Sequence, residues 1–304
     1  MKNRIAYAVT VFRMLALSSG MATAPRERPR LQSAIAVVSA FGLGAGGLLL
    51  GFVLLVLTTT GIRLATDFSL SGFRFLVLSL VFIQGIGCAG VALTYYKLRP
   101  VITPRVRSFF NIEGDGQPFY IPAAAPSLRQ VGMVLAGYVA AIGWVMFSGV
   151  IMTAIQNIRG QEIQTGSNAA AELGRSNPEV LLILIPASIL FIGPGEELLF
   201  RGVVQGRIRE RFSRIPGIVI PSLFFAALHF IALVGGSLLG NLVVVSILFG
   251  TTTVFGVAFE YADNIVVPSL IHGLYNATLF TLIYISLTLS DGQSQQALLS
   301  FILS

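Results

Sequence analysis

The sequence predicts an all-α protein, a polytopic membrane bundle of about seven transmembrane helices with a buried polar catalytic cavity. Of its 304 residues 55% are hydrophobic and 11% are charged, whereas a soluble domain carries about 25% charged residues. The mean hydropathy is +0.83. Apolar stretches of about 20 residues, the length that crosses a bilayer, recur along the chain. The ionisable residues inside the last of these stretches indicate a polar site within the bundle.

The spans are separated by stretches rich in Pro, Gly and polar residues, the longest being residues 97–127. We place the spans at about 34–57, 73–96, 131–155, 180–201, 217–234, 238–259 and 266–289. We divide the chain into an N-terminal extension (1–33), a first group of transmembrane helices and loops (34–177), a C-terminal helical domain that carries the polar motifs (178–290) and a tail (291–304). The tail is too short to span and is expected at the surface or against the bundle.

The basic residues predict the orientation. Six of the 20 Lys and Arg residues precede residue 31, five lie between 97 and 129, and five lie between 201 and 214. With seven spans these three segments share one side, which the positive-inside rule makes cytoplasmic, with the N-terminus inside and the C-terminus outside a cell membrane. The net charge of +7 then matches anionic lipid headgroups, and we expect membrane lipids rather than nucleic acid as partners.

Two further features carry little chemistry. Residues 1–20 have a basic start and a short apolar stretch that Arg13 interrupts, and Met21 offers a second start. We therefore expect a dispensable or mispredicted extension rather than a cleaved signal peptide. The single cysteine, Cys88, excludes an intramolecular disulfide and a multi-cysteine metal site, and we expect it to pack as a small apolar residue.

The polar residues of interest lie in the C-terminal third. The pair Glu196–Glu197 follows Gly193–Gly195, and both histidines of the chain, His229 and His272, also lie inside apolar stretches. An ionisable side chain at bilayer depth costs about 2.5–3.5 kcal/mol on insertion scales, so it normally faces a partner or a wet cavity. Pro194 also disturbs the helix beside the carboxylates, since it removes a backbone donor. We therefore expect these groups to form one buried site.

The two glutamates are expected to differ. Glu197 and Arg201 are four residues apart on a helix, so they can form an ion pair that holds Glu197 ionised. Glu196 points about 100° away on the helix. A free carboxylate in an apolar site suits a general base, so the role of base falls to Glu196.

Helix lengths predict which groups meet. Measured from a turn at residues 213–217, Glu196 lies at about 25 Å and His229 at about 18 Å, which is close enough for side chains of an antiparallel hairpin. His272 and Asn276 share one face of the last span. Both side chains can donate hydrogen bonds to a developing oxyanion.

Three motifs together resemble a known family. Glu-Glu-x-x-x-Arg at 196–201, Phe-x-x-x-His at 225–229 and His-x-x-x-Asn at 272–276 resemble the CAAX-protease and bacteriocin-processing membrane proteases, which include the type II CAAX prenyl endopeptidase. The resemblance covers about residues 178–290.

The resemblance implies glutamate-dependent intramembrane proteolysis. Because the one cysteine is remote and no His–Glu–His helix motif is present, we expect no metal or other cofactor. The matching residues imply that Glu196 and His229 activate water and that His272 and Asn276 stabilise the oxyanion. Glu197, Arg201 and Phe225 would support the site. The substrate would be a membrane-associated or lipidated protein or peptide, although nothing in the sequence recognises a prenyl group.

Two other classes remain open. Two His and two Glu are a conceivable zinc ligand set, which would make the protein a zinc-dependent membrane protease. The zincin pattern of two histidines flanking a glutamate is absent, however, and neighbouring glutamates diverge on a helix. A non-catalytic transporter or scaffold could also bury polar groups, but no inverted repeat is visible. Single residues also have structural alternatives: a buried ion pair for Glu197 and Arg201, a core histidine bonded to a carbonyl for His229, and an interhelical hydrogen bond for Asn276.

Overall fold

The computed structural model describes residues 29–66, 70, 72–112 and 119–289. Most of the N-terminal extension and the whole C-terminal tail lie outside these residues, so the expectations for them stay predictions. The described chain contains seven helices that are long and apolar enough to cross a membrane. The predicted helical membrane bundle is therefore confirmed.

Each predicted span falls on one helix, and one further short helix, α4, precedes the fourth span. In chain order the helices are α1 (Pro29–Ala65), α2 (Gly72–Phe109), α3 (Leu128–Arg159), α4 (Ala169–Ser176), α5 (Glu179–Arg209), α6 (Arg214–Ala232), α7 (Leu238–Ala262) and α8 (Val266–Leu289).

Helix α2 corrects one expectation. The sequence predicted a loop from residue 97, but the helix continues to Phe109 through Pro100 and Pro104. Tertiary contacts stabilise this extension: Arg99 forms an ion pair with Glu210 at the end of α5 and lies 4.3 Å from the ring of Phe119. Long-range contacts thus offset the helix-breaking tendency of proline.

Helices α5 and α8 form the centre of the bundle. In the most apolar 18-residue stretch of each, 50% and 44% of the residues are buried, whereas the corresponding share is 22–33% in the other spans. They cross closely at Gly193 and Gly273, where neither residue has a Cβ atom. A Cβ on Gly193 would lie 2.6 Å from the carbonyl oxygen of Ser269, and one on Gly273 would lie 2.7 Å from Cα of Ile189. Small residues permit such close crossings in membranes.

Helix α5 is irregular around Pro194. Residues Ser188–Ile192 and Leu198–Gln205 are wound as π-helix, on either side of the short α-helical turn Gly193–Glu197. A third π-helical segment, Leu80–Gly90, lies in α2. Widened turns of this kind are frequent at functional sites. The disturbance expected at Pro194 is therefore present, and it flanks the two glutamates. Cys88, in the π-helical segment of α2, is fully buried in the apolar core, as expected.

One end of the bundle carries most of the arginines. Because the seven spans alternate in direction, this basic end contains the start of α1, the end of α2, the start of α3, the end of α5 and the start of α6. Asn264, in the turn between α7 and α8, also lies there and bonds both the amide and the carbonyl of Ala124. At the opposite end Ser167 and Val234 form an isolated antiparallel bridge.

Candidate active site

Glu197 is the centre of a buried polar cluster between α5 and α8. Its Oε2 lies 2.9 Å from Nε of Arg201, and its Oε1 lies 2.9 Å from Nδ1 of His272. The side chains of Glu197 and Arg201 are fully buried. The ion pair expected from the four-residue spacing is therefore present, and His272 completes it. Arg201 was counted with the basic loop residues in the sequence, but it belongs to this cluster.

Arg201 extends the cluster to α6. Its Nη1 lies 3.3 Å from Oγ of Ser222, and its guanidinium carbon lies 6.0 Å from the centre of the Phe225 ring. Within the described residues, Nη2 of Arg201 has no hydrogen-bond partner. The single carboxylate of Glu197 therefore supplies the negative charge in direct contact with this guanidinium.

Glu196 points away from that cluster, as predicted. Its Oε1 accepts a hydrogen bond of 2.8 Å from Nε2 of Gln84, and its Oε2 lies 3.9 Å from Nε2 of His272. The second distance is too long for a direct hydrogen bond but suits a bridging water. The side chain of Glu196 is 11% exposed, whereas that of Glu197 has no exposure. Only Glu196 of the two carboxylates is thus accessible.

Gln84 was missed by the sequence analysis. It lies in the π-helical segment of α2, far from the motifs in the chain, and reaches Glu196 across the bundle. A sequence signal existed: a carboxamide in the apolar run Leu80–Gly90 is a polar group at bilayer depth. The partner could not be predicted, since the contact joins residues 112 positions apart.

His229 lies near the end of α6 with one ring nitrogen occupied. Its Nδ1 is 2.9 Å from the carbonyl oxygen of Phe225. A carbonyl only accepts hydrogen bonds, so Nδ1 carries the hydrogen and Nε2 of the neutral ring carries the lone pair. A histidine with only a structural role would make the same contact with a carbonyl. The contact nevertheless leaves Nε2 available to bind a water or a substrate.

Phe225 separates the two histidines. Its ring stacks on His229 with centroids 4.3 Å apart and lies edge-on to His272 at 6.3 Å. The other face of the site is closed by Phe255, which stacks on His272 at 4.9 Å. Phe225 thus packs against both imidazoles, and together with Phe255 it restricts their orientation.

Glu196 and His229 line the same cavity, which has a volume of about 570 Å³. The rest of the lining is apolar and comes mainly from α1 and α6. Phe52 and Ile231, two of the lining residues, are 55% and 80% exposed on the outer surface of the bundle. The cavity therefore connects the carboxylate and the imidazole with the lipid-facing side.

Asn276 is not joined to the other candidates. It lies one helical turn after His272 and is half-buried, but its side chain makes no hydrogen bond among the described residues and does not line the cavity. No group of three or more His, Cys, Asp or Glu side chains could hold a metal ion within the part of the chain that the structure describes.

The seven apolar spans and this site define a multi-pass membrane protein with an accessible carboxylate beside two histidines. Residues 178–278 match the family described as Type II CAAX prenyl endopeptidase Rce1-like. The match confirms the resemblance of the motifs, which it includes, and it supports a membrane protease. It covers about a third of the chain, from the start of α5 into α8. No curated protein and no solved structure matches the chain.

Proposed function

We propose that the protein is an intramembrane endopeptidase that hydrolyses a peptide bond of a membrane-associated or lipidated protein with water activated by Glu196. The observation that carries this proposal is the access of Glu196, but not of Glu197, to the cavity shared with His229. A base must reach the water that it deprotonates, and only one of the two carboxylates does so.

In the proposed reaction, the water oxygen attacks the carbonyl carbon of the substrate while Glu196 takes the proton of the water. The C–N bond of the tetrahedral intermediate then breaks, and Glu196 returns the proton to the leaving amine. The Nε2 lone pair of His229 holds the second hydrogen of the water and so orients it. Gln84 keeps Glu196 in place through its 2.8 Å hydrogen bond.

His272 and Asn276 are assigned to the oxyanion. Because Glu197 accepts the Nδ1–H of His272, the Nε2 atom donates only when the ring carries both hydrogens. Glu197 is a suitable counter-ion for that imidazolium, and the carboxylate of Glu196, whose Oε2 lies 3.9 Å from Nε2 of His272, balances the remaining positive charge of Arg201. The side chain of Asn276 makes no hydrogen bond within the described residues but does not line the cavity, so its carboxamide would serve a substrate that reaches the next turn of α8.

The cavity suggests how the substrate arrives. Its lining is almost wholly apolar, and exposed residues of α1 and α6 surround the opening. An apolar segment or a lipid chain can enter from the bilayer without leaving a low-dielectric medium. We also propose that the basic end faces the cytoplasm, on the distribution of arginines.

The zinc alternative has less support. Both oxygens of Glu197 are occupied, one by Arg201 and one by His272. Releasing Arg201 so that Glu197 could bind a metal would leave a buried guanidinium unpaired. If the protein were a transporter or a scaffold, its presence would create no new N-termini among the other proteins of the membrane.

The test compares the protein termini in membranes that contain the wild type, the Glu196→Gln variant or no copy of the protein. We expect new N-termini only with the wild type, and we expect the cleavage to survive a zinc chelator. Identical termini in all three membranes would contradict a protease. Cleavage that the chelator stops and zinc restores would favour the metal-dependent alternative.

A further inference from the structure

A second cavity, of about 240 Å³, lies at the basic end between the start of α1, the end of α2 and the end of α5. It is smaller than the about 300–1,000 Å³ of typical pockets for drug-sized ligands. Among the described residues, its charged lining consists of four arginines and one glutamate: Arg99, Arg107, Arg207, Arg211 and Glu210. These side chains have an excess of three positive charges.

The arginines are held in place by the protein. Arg99 and Arg207 both form ion pairs with Glu210, so one carboxylate serves two guanidinium groups. Arg99 also donates to the hydroxyl of Tyr95 at 3.0 Å, and Nη2 of Arg207 donates to Oγ of Ser39 at 3.0 Å. Their side chains are only 7% and 12% exposed. This is a fixed cationic site rather than a mobile charged surface.

Arg211 lies at the mouth of this cavity. It is exposed, and its side chain makes no ion pair or hydrogen bond within the described residues. The remaining lining includes Ile35 from α1 and Ile102 and Val106 from α2. The cavity thus places cationic groups beside an apolar wall at the end of a membrane span, which is the pattern of a lipid headgroup beside its acyl chain.

We propose that this cavity binds the phosphate of an anionic phospholipid headgroup. A substrate carboxylate is disfavoured because the two cavities are separated by packed core. Ala40 of α1 and Val204 and Ile208 of α5 lie between them and are fully buried. A peptide bound at Glu196 would have to pass through these side chains to reach Arg207.

The bound lipid would connect three helices. Helix α1 lines both cavities, while α5 carries the glutamates. A phosphate among Arg99 and Arg107 of α2, Arg207 of α5 and Arg211 just after it would hold α2 against α5, while the acyl chain would lie along Ile35 of α1. The lipid would thus stabilise the bundle next to the proposed protease site.

The test measures lipid binding to the purified full chain by native mass spectrometry, with phosphatidylglycerol, phosphatidylcholine and inorganic phosphate as separate probes. The Arg107→Gln/Arg211→Gln variant is compared with Arg105→Gln/Arg129→Gln, which removes the same charge at the same end from exposed arginines outside the cavity. Each arginine contributes about fivefold in affinity, so we expect about 25-fold weaker phosphatidylglycerol binding in the first variant. We expect little change in the second.

Several outcomes would overturn the proposal. An equal loss of phosphatidylglycerol binding in the two variants would indicate general attraction to the basic surface. If the wild type bound phosphatidylcholine as tightly as phosphatidylglycerol, the site would have no preference for an anionic lipid. Binding of inorganic phosphate as tight as that of the lipid would assign the cavity to a free anion. Displacement of the lipid by a peptide with a free C-terminal carboxylate, but not by its amide, would assign it to the substrate.

Discussion

Glu197 of α5 and His272 of α8 face each other across the centre of the bundle, with Oε1 and Nδ1 2.9 Å apart. Both side chains are almost inaccessible, and Glu197 is also bound by Arg201. Glu196, the preceding residue, turns toward the cavity instead. Two adjacent carboxylates are therefore in opposite situations, one enclosed in the structure and one accessible, and their substitution should have different effects.

Glu196→Gln should lower kcat by about 10²–10⁴-fold without changing the thermal unfolding temperature, because the amide keeps the size of the side chain but cannot act as a base. Turnover of a cleaved substrate by the purified variant measures this. Glu162→Gln, at an exposed glutamate, is the matched control and should remain active. Near-normal cleavage by Glu196→Gln would refute its assignment as the base.

Glu197→Ala should lower the free energy of unfolding by about 3–5 kcal/mol, because it leaves the buried guanidinium of Arg201 without its counter-charge. Thermal unfolding in lipid nanodiscs measures the effect. Glu172→Ala removes the exposed pair with Arg175 and should cost at most about 1 kcal/mol.

A second variant separates charge from packing. The double substitution Glu197→Leu/Arg201→Met removes both charges, and it should recover much of the stability lost in Glu197→Ala. If Glu197→Ala were as stable as the wild type, the buried ion pair would contribute nothing to the fold.

Gln84→Met should lower kcat at least about tenfold with little change in KM, since a hydrogen bond to a charged group contributes about 1.5–3 kcal/mol. Gln84→Asn keeps the carboxamide and should be affected less. Gln156→Met, at a half-buried glutamine of α3 that makes no hydrogen bond to another described residue, is the control. An equal rise in KM with unchanged kcat would show that Gln84 acts on substrate binding and not on Glu196.

Asn276→Ala should lower kcat by about 10²–10³-fold if the carboxamide stabilises the oxyanion. Stability should not change, because Asn276 makes no hydrogen bond within the described residues. Asn157→Ala, at an exposed asparagine in α3, controls for loss of a carboxamide. Full activity of Asn276→Ala would leave the oxyanion to His272 or to backbone amides.

Gly273→Ala should destabilise the bundle by about 1–3 kcal/mol through overpacking. The new Cβ would lie 2.7 Å from Cα of Ile189, and backbone atoms cannot move aside as a flexible side chain can. Gly143→Ala is the matched control, since nothing lies within 4 Å of its Cβ position. Equal unfolding temperatures for the two variants would show that the α5–α8 crossing tolerates a wider separation.

The sequence by itself determined the number and approximate position of the spans, because the bilayer requires long apolar segments whose lengths are visible in one dimension. It also determined the Glu197–Arg201 pair, since partners four residues apart on a helix are local. The extension of α2 beyond residue 97 was not visible, because its ion pair with Glu210 joins distant parts of the chain.

Only the tertiary structure decided which polar groups meet. The close crossing of α5 and α8 brings His272 to Glu197, and the packing of α2 against α5 brings Gln84 to Glu196. Sequence spacing gave the depth of these side chains but not their rotation about the helix axes. That rotation depends on π-helical turns and glycine contacts between helices, and it leaves Glu196 rather than Glu197 facing the cavity.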